Sequence, residues 1–438
     1  MPLWKGWLRR GIAAFVFLLF FGMALAAAGL LPFYFAAKSA SIPFLVFISI
    51  FAFAAIAWFG ARICLSIWRA PNAATLAIVL GGIFTCVFAI TIYFAILRPH
   101  SLHLPEAPPF ENTKYWQLST GSRIAYSEYD PPSRVAVRTE PIVFIHGGAG
   151  LRHGSFDQLA YGGIAADGFR VVLYDQAGSG LSGLLPHVRD YTIARAVEDL
   201  EAIRQELHAN RMVLIGHSWG STLAASYMAR YPEHVSKVVF HSPAAIWKLS
   251  QDNIDFSRTA GGNDAFPALR LLAAWFLQER NPDAAENLLP QREAEELFAP
   301  TMLPIVGTLV CKGDLDKLPP VFEQLKNFPN NPAFNPYVLA AMYAQTDDLA
   351  ADPHSFLRNN RTPAILLFGE CNYLSWAGAI DYRATFPNLK IFYFPGAGHY
   401  IQFEQPDLMR QVIRAFLLDQ PDAIPPYKSD ADPRSARP

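Results

Sequence analysis

Gly216-His217-Ser218-Trp219-Gly220 is the stretch that decides how this chain folds. It has the pattern G-x-S-x-G, it follows an apolar run typical of a buried strand, and it precedes a stretch typical of a helix. A serine on so sharp a strand-to-helix turn projects its hydroxyl away from the backbone, because the glycines let the strand and the helix approach closely. The pattern therefore predicts a nucleophilic serine at the end of a strand.

Strand-like and helix-like stretches alternate on both sides of this turn. Residues 116–129 have the pattern of a hairpin, and short apolar runs occur at 142–145, 169–174, 212–215, 238–240, 364–368 and 390–394. Amphipathic stretches typical of helices occur at 191–208 and 406–418. This alternation predicts an α/β fold with a mostly parallel sheet and helices on both faces. Residues 244–361 interrupt it with helix-like stretches, which predicts a helical insertion above the carboxyl ends of the strands, where such sheets bind ligands.

The first hundred residues contain three long uncharged runs, at residues 11–35, 39–61 and 70–97. Each is long enough to cross a hydrocarbon core of about 30 Å, which takes roughly 20 residues. A cleaved signal peptide does not account for the first run, because two more runs follow it. Since no charged residue lies inside any run, the pattern indicates an anchor and gives no support for transport. The sequence therefore predicts three transmembrane helices, with the lipid bilayer as their partner.

Basic residues near these runs predict the orientation of the anchor. Lys5, Arg9, Arg10, Arg62 and Arg69 fall on one side of the predicted membrane, and Lys38 and Arg98 fall on the other. The positive-inside rule then places the N-terminus in the cytoplasm and everything after the third run outside it.

These patterns divide the chain into a series of segments. They are a membrane anchor at 1–98, a proline-rich linker at 99–114, the first part of an α/β core at 115–243, a helical cap at 244–361, the second part of the core at 362–420 and a polar tail at 421–438. The composition of the tail predicts disorder. A net charge of −1 without a basic cluster gives no case for nucleic acid. No metal-ligand spacing occurs, so we predict neither a metal nor a cofactor.

A serine hydroxyl is a poor nucleophile unless a base removes its proton, so a histidine should accompany Ser218. His399 lies in a loop of small residues after the last strand-like run, and that loop can carry its imidazole to the serine. The chemistry also needs two backbone N–H groups aimed at the developing negative charge. We expect one from Trp219, which follows the serine, and one from Gly148 in the glycine-rich turn after residue 145.

Four motifs carry a resemblance to a known family. They are HGGAG at 146–150, DQAGSGLS at 175–182, VEDLE at 197–201 and GHSWGS at 216–221. Residues 115–420 resemble the α/β-hydrolases, and within them most resemble the prolyl aminopeptidases (proline iminopeptidases) and related peptidases and esterases. Ala149, Ala177 and His217 replace the proline, arginine and glycine that this group has in the same motifs. In the family's pattern Asp175 stands in a structural turn, where we expect it to bond backbone amides.

The residue that orients the histidine is the main open question in the sequence. The family resemblance implies an Asp in a G-x-x-D turn, but here that turn reads GECN at residues 369–372. Asn372 occupies the position of the acid, whereas Glu370 is the nearest carboxylate and has a longer side chain. A more distant acid such as Asp252 or Asp381 is the third alternative. An amide can orient an imidazole but adds no negative charge to stabilise an imidazolium.

The insertion is expected to filter the substrate, which we predict to be a small molecule or a short peptide. Its aromatic residues should mostly pack the insertion itself, while some line an apolar pocket; they are Trp247, Phe256, Phe266, Trp275, Phe276, Phe298, Phe322, Tyr337 and Tyr343. Family aminopeptidases hold a free amino terminus with carboxylates of the cap. Glu293, Glu295 and Glu296 are candidates by residue type, with a solvated helix face as the alternative. The predicted function is a serine hydrolase of prolyl aminopeptidase type. The alternatives are an esterase or lipase and a catalytically silent binding module.

Overall fold

The computed structural model describes residues 3–36, 40–99, 101–102, 108–247, 269–297, 309–311, 334–344 and 352–436. These residues form two compact units. One comprises Met1–Ser101 together with Phe266–Glu293, and the other comprises Leu102–Ala265 together with Ala294–Pro438. The predicted insertion is therefore divided between them, and each unit is described separately below.

Three long apolar helices make up most of the first unit. They are α1 (Leu3–Phe35), α2 (Ile42–Trp68) and α3 (Ala73–Ile92), and a π-helical turn at Tyr93–Leu97 continues α3. Neighbouring helices are antiparallel: Ser49 Oγ donates to the carbonyl of Ala28 at 2.6 Å, and the rings of Phe53 and Phe88 stack with centroids 4.1 Å apart. By length and composition three helices can cross a membrane, over Gly6–Pro32, Ile42–Trp68 and Ala73–Leu97. The prediction of three apolar spans is confirmed at this level.

An eight-stranded sheet organises the second unit, in the order β1-β2-β4-β3-β5-β6-β7-β8. Its strands are β1 (Thr113–Gln117), β2 (Arg123–Tyr129), β3 (Ile142–Ile145), β4 (Val171–Tyr174), β5 (Met212–His217), β6 (Val235–His241), β7 (Ala364–Gly369) and β8 (Leu389–Phe394). β2 pairs antiparallel with β1 and β4, and all other pairs are parallel. Every residue of β3, β4, β5 and β7 is buried, as expected for parallel strands covered on both faces. The predicted fold class is confirmed.

Helices of the second unit connect its strands and cover its sheet. They are Ser155–Tyr161, Ile193–Glu206, Trp219–Arg230, Pro336–Ala344, His354–Leu357, Trp376–Thr385, Ile401–Glu404 and Pro406–Leu417. The first unit also contains the helices Leu269–Gln278 and Pro282–Leu288. Helix Ile193–Glu206 starts where Thr192 Oγ1 accepts the Arg195 N–H at 3.0 Å, a side-chain cap for an otherwise unpaired donor. The last long helix turns Met409, Val412 and Ile413 into the core.

The C-terminal tail differs from the predicted disorder. Tyr427 forms a β-bridge with Ile391 on the sheet edge, and its N–H donates to the carbonyl of Ile391 at 2.7 Å. Trp376 Nε1 donates to the carbonyl of Asp430 at 3.0 Å, and Pro433–Ala436 form a 3-10 turn. A few specific anchors thus order a segment whose composition is typical of disordered chains.

Candidate active site

Ser218 stands on a strained turn between β5 and the helix Trp219–Arg230. Its φ of 53° and ψ of −119° lie in a region that residues with a side chain rarely adopt. A Cβ on Gly216 would lie 2.5 Å from the carbonyl oxygen of Gly220, and a Cβ on Gly220 would lie 2.1 Å from that of Ile145. Both positions therefore require glycine, because the strands and the helix approach too closely for a side chain. The backbone expected from the G-x-S-x-G pattern is present.

The glycine-rich turn after β3 lies directly against the serine. A Cβ built on Gly147 would lie 2.8 Å from the Cβ of Ser218 and 2.9 Å from His217 Nδ1. The next residue, Gly148, has a positive φ of 49°. Trp219 is the first residue of its helix, so its N–H has no acceptor within the helix. Trp219 thus adjoins Ser218 in the chain, and Gly148 follows Gly147, the residue of this turn that lies against Ser218.

His399 is buried and its Nδ1 lies 2.9 Å from the side-chain oxygen of Asn372. The same oxygen accepts the backbone N–H of Leu374 at 3.1 Å, which identifies it as the acceptor end of the amide. The proton of the imidazole must therefore sit on Nδ1, which leaves the lone pair of Nε2 free to accept a proton. This tautomer is the one that a general base needs.

The other candidates for orienting the histidine have different partners. Glu370 Oε2 accepts the N–H of Gly396 at 2.7 Å. Asp381 forms an ion pair with His354 at 3.0 Å. Asp252 lies outside the described residues. Of the alternatives named from the sequence, Asn372 is the residue that the structure places on His399.

Tyr373 is a site residue that the sequence reasoning missed. Its ring centroid is 4.7 Å from that of His399. Burial raises the pKa of its hydroxyl to about 12, and the neighbouring Ser218 side chain acts in the opposite direction. In the described part of the chain Ser218 and His399 have no direct hydrogen bond to each other, and catalytic hydrogen bonds are often long in structures without substrate.

His217 was identified only as a replacement for the family's glycine, yet it also supports the site. Its ring lies 5.0 Å from that of His399, and its Nε2 is 3.4 Å from the carbonyl oxygen of His399. His241, which ends β6, lies on the other side of His217 with ring centroids 4.8 Å apart. Three buried histidines, His217, His241 and His399, therefore lie near the turn that carries Ser218. A single sequence contains no signal that would predict their contact with one another.

Burial dominates the electrostatics of these histidines. Desolvation holds the pKa of His399 well below its ordinary value, and a smaller contribution from the charge on His217 acts in the same direction. Burial likewise lowers the pKa of His217 to about 4 and that of His241 well below its usual range. The side chain at Nδ1 of His399 is a neutral amide. All three imidazoles are consequently neutral near pH 7, as a general base must be.

Asp175 forms part of the scaffold, as predicted. Its carboxylate accepts the backbone N–H groups of His153 and Leu181, both at 2.9 Å, and pairs with His153 Nδ1 at 2.7 Å. Burial would raise the pKa of this carboxyl, but His153, His146 and Arg152 together lower it to about 2. Asp175 is thus a fixed anion that holds the turn after β4.

Two of the three insertion carboxylates are buried, which corrects the alternative of a solvated helix face. Glu293 forms an ion pair with Arg270, with the two side chains 5% and 8% exposed. Glu295 accepts the N–H of Phe334 at 2.7 Å and is itself buried. Glu296 is half-buried. These carboxylates have structural partners, so an amino-terminus site built from them would have to compete with those bonds.

The later part of the insertion contacts the glycine-rich turns that follow β3 and β4. Asn335 donates its N–H to the carbonyl of Gly150 at 2.8 Å and its side-chain Nδ2 to the carbonyl of Gly178 at 3.0 Å. The ring of Tyr343 lies 5.6 Å from that of Trp219, the residue that follows Ser218. Tyr343 and Tyr337 lie in described segments, whereas Phe256, Phe266, Phe298 and Phe322 lie outside the described residues.

Two further connections hold the turn that carries Asn372. A disulfide joins Cys371 to Cys311. Residues 309–311 also bind the histidine loop, since the Tyr400 N–H donates to the carbonyl of Leu309 at 3.1 Å. From the tail, Arg434 Nη1 donates to the carbonyls of Asn372 and Leu374 at 3.0 and 3.1 Å.

Comparison with known proteins agrees with this architecture. Residues 140–406, more than half of the chain, match the alpha/beta hydrolase fold family. The chain belongs to that family. It is similar to the proline iminopeptidase of Heyndrickxia coagulans, with 35% identity over 135 residues, which covers 30% of this chain and 44% of that protein. It is also similar to the proline iminopeptidase of Lactobacillus helveticus, with 39% identity over 115 residues, covering 24% of this chain and 38% of that protein. The matched region spans less than half the length of these relatives.

The likeness to solved structures is one of fold. An esterase from Exiguobacterium antarcticum superposes with a TM-score of 0.51 at 15% identity, covering 70% of this chain and 99% of that one. The superposition covers nearly the whole of that smaller enzyme. At this level of identity the likeness supports the same fold, and it gives no information about the substrate of this chain.

Proposed function

We propose that this protein is a membrane-anchored serine hydrolase that cleaves an amide or an ester through an acyl-enzyme. The observation that carries the proposal is the strained Ser218 in a cluster with Gly147 and with a His399 held as the Nδ1–H tautomer. A family fold with this turn provides both the nucleophilic hydroxyl and the base that its activation requires.

The proposed reaction has two halves. Ser218 Oγ attacks the substrate carbonyl carbon while Nε2 of His399 takes the hydroxyl proton, and the N–H groups of Gly148 and Trp219 stabilise the oxyanion. His399 then donates that proton to the leaving amine or alcohol, and the acyl-enzyme forms. Water attacks the acyl group in the second half, with His399 again as base, and releases the acid and free Ser218.

Aminopeptidase-like activity is the leading substrate class, because the sequence relatives are proline iminopeptidases. Esterase or lipase activity is the second candidate. It is favoured by the engagement of Glu293 with Arg270 and of Glu295 with a backbone amide, since an amino-terminal ammonium needs an available counter-charge. Amino-acid naphthylamides compared with acyl nitrophenyl esters at equal concentrations distinguish the two.

The first test uses a fluorophosphonate probe, which labels activated serines. We expect the full-length protein to be labelled and Ser218→Ala to be unlabelled and inactive. Ser242→Ala is a matched control, because Ser242 is equally buried and follows the next strand, with no hydrogen-bond partner for its Oγ among the described residues. Equal labelling of the wild type and Ser218→Ala would remove the proposal. Absence of both labelling and turnover in the folded wild type would favour a silent binding module.

The orientation of the second unit, here called the hydrolase unit, is part of the proposal. The positive-inside pattern places this unit outside the cytoplasm. The Cys311–Cys371 disulfide supports the same side, because such bonds persist in oxidising compartments. In intact cells, a membrane-impermeant amine reagent should modify lysines of the hydrolase unit such as Lys390, whose side chain is 53% exposed. If this lysine is modified only after the cells are lysed, the hydrolase unit lies in the cytoplasm and the proposed orientation is wrong.

A further inference from the structure

Part of the insertion between β6 and β7 packs with the membrane helices. Helix Leu269–Gln278, here called the insertion helix, belongs to the same compact unit as α1, α2 and α3. Arg270 Nη1 donates to the carbonyl of Ile96, and Asn281 Nδ2, just after the helix, donates to the carbonyl of Ala40 at 3.0 Å. The insertion helix is therefore bonded to the backbone of the anchor at two points.

Both points lie at the same end of the three-helix bundle. Ala40 is in the connection between the end of α1 and the start of α2, and Ile96 is in the turn that ends the third span. Because neighbouring spans run antiparallel, these two sites lie at one end. The spans are 27, 27 and 25 residues long, which is more than the roughly 20 needed to cross the hydrocarbon core. The insertion helix is therefore at the level of a membrane surface.

A buried ion pair fixes the rotation of the insertion helix. Arg270 Nε donates to Glu293 Oε1 at 2.5 Å, and Nη2 donates to Oε2 at 3.0 Å. A bidentate Arg–carboxylate pair has a defined geometry, so it holds the helix in one orientation. Ala274 and Leu277 lie on the same buried face as Arg270. The opposite face is consequently turned outward.

That outward face is apolar. Leu269 is 59% exposed and Phe276, seven residues later, is 53% exposed, so the two share one side of the helix. Trp275 is 65% exposed and its ring stacks on that of Phe276 with centroids 6.3 Å apart. The same end of the bundle also exposes aromatic residues of the spans, namely Tyr34, Phe35, Tyr93 and Phe94. Aromatic side chains in this position are typical of a membrane–water interface.

We propose that the insertion helix is an interfacial helix whose outward face contacts lipid. Its buried face bonds the anchor through Arg270, its outward face continues the aromatic band of the spans, and the exposed Glu279 and Arg280 follow it at the aqueous level. The partner is the bilayer, and the contact does not depend on the proposed hydrolase activity. The protein thus meets the membrane through a segment of the insertion as well as through its N-terminal helices.

Depth-dependent fluorescence quenching tests the proposal on the full-length protein in phosphatidylcholine nanodiscs. The quantity measured is the part of the tryptophan emission that disappears in Trp275→Phe, compared between ordinary lipid and lipid brominated high in the acyl chain. We expect that part to fall by about twofold with bromolipid, as for a side chain at the interface. Trp376→Phe is the control, because Trp376 is 4% exposed in the hydrolase unit, and its emission should not change.

Two outcomes would overturn the proposal. Quenching of the Trp275 emission by aqueous acrylamide, without any effect of bromolipid, would place the face in water. Protection from both quenchers would show that protein covers the face, for example a second copy of this chain. The Trp→Phe changes are conservative, and an unaltered thermal unfolding midpoint confirms that each variant is folded.

Discussion

Replacement of Asn372 by Asp should increase activity, because it adds a negative charge next to Nδ1 of His399. The Asn372 side-chain oxygen already accepts from His399 Nδ1 at 2.9 Å and from the Leu374 N–H at 3.1 Å, and an Asp oxygen can keep both bonds. The Nδ2 of Asn372 is buried and has no hydrogen-bond partner among the described residues, so its replacement by oxygen breaks no bond seen here. The variant therefore changes the charge and preserves the geometry.

The expected gain follows from the charge that forms on His399 in the transition state. A hydrogen bond to a charged partner contributes about 1.5–3 kcal/mol compared with about 0.5–1.5 for a neutral one, a difference of about 1–1.5 kcal/mol or roughly tenfold in rate. A unit charge at 4 Å with an effective dielectric constant of 20 contributes at most about 4 kcal/mol, which is about a thousandfold. We expect kcat/KM to rise by between roughly tenfold and a thousandfold.

The assay measures kcat/KM of the full-length protein in nanodiscs across pH, on whichever ester or amide gives the best turnover. An anionic neighbour favours the protonated imidazole, so the pKa of His399 should rise and the acid limb of the profile should move to higher pH. Glu370→Gln is the matched control, since its side-chain oxygen can still accept the Gly396 N–H, and its rate should stay within about threefold of the wild type.

A folded Asn372→Asp variant with unchanged or lower kcat/KM and an unmoved acid limb would refute this reasoning. It would show that the residue at position 372 does not act on the protonated form of His399. A large loss in Glu370→Gln would point to the same conclusion by identifying Glu370 as the orienting group. A large gain from a wild type without measurable turnover would instead support the silent binding module.

Three other predictions concern the surroundings of the same pair. Because burial depresses the pKa of His399, the acid limb of kcat/KM in the wild type should lie well below pH 6.5, and a limb near 7 in a pH–rate profile would contradict this. Cys311→Ser should lower the free energy of unfolding by about 4 kcal/mol, the chain-entropy value for a loop of 60 residues, and an unchanged thermal midpoint would contradict it. Arg434→Ala removes the donor to two carbonyls of the turn that carries Asn372, and it should lower kcat by roughly tenfold. Lys390→Ala is the surface control. Equal kcat values for the two variants would show that the tail does not position the turn.

The fold could be predicted because its signals are local. The turn around Ser218 needs glycines where backbones approach closely, for example at Gly220 against Ile145. Those glycines, Gly216 and Gly220, stand close to the serine in the sequence and can be recognised there. The buried parallel strands can also be recognised locally, as short apolar runs, because both of their faces are covered. The position of His399 after the last strand follows from the same order of elements.

Side-chain partners were harder to predict because they depend on the direction of each turn. Glu370 is a carboxylate with sufficient reach, yet it points to the Gly396 amide, while Asn372 faces the imidazole. The sequence shows that residues 269–278 form an apolar helix-like stretch, but it cannot show that Arg270 meets the backbone of the anchor. The composition of the tail predicted disorder, because average composition does not reveal a few specific contacts such as that of Tyr427 with β8.

Among the described residues Asn372, a neutral amide, is the side chain bonded to Nδ1 of His399, and this fits the character of the site. His217, His241 and His399 lie next to one another and are each held neutral by burial, so a buried anion among them would raise their pKa values and favour protonation. The amide of Asn372 selects the reactive tautomer without that effect. The consequence is a base that remains unprotonated in acid but gains less stabilisation when it accepts a proton. Such a site should turn over more slowly at neutral pH than its Asn372→Asp variant, and should lose less of its rate between pH 7 and 5.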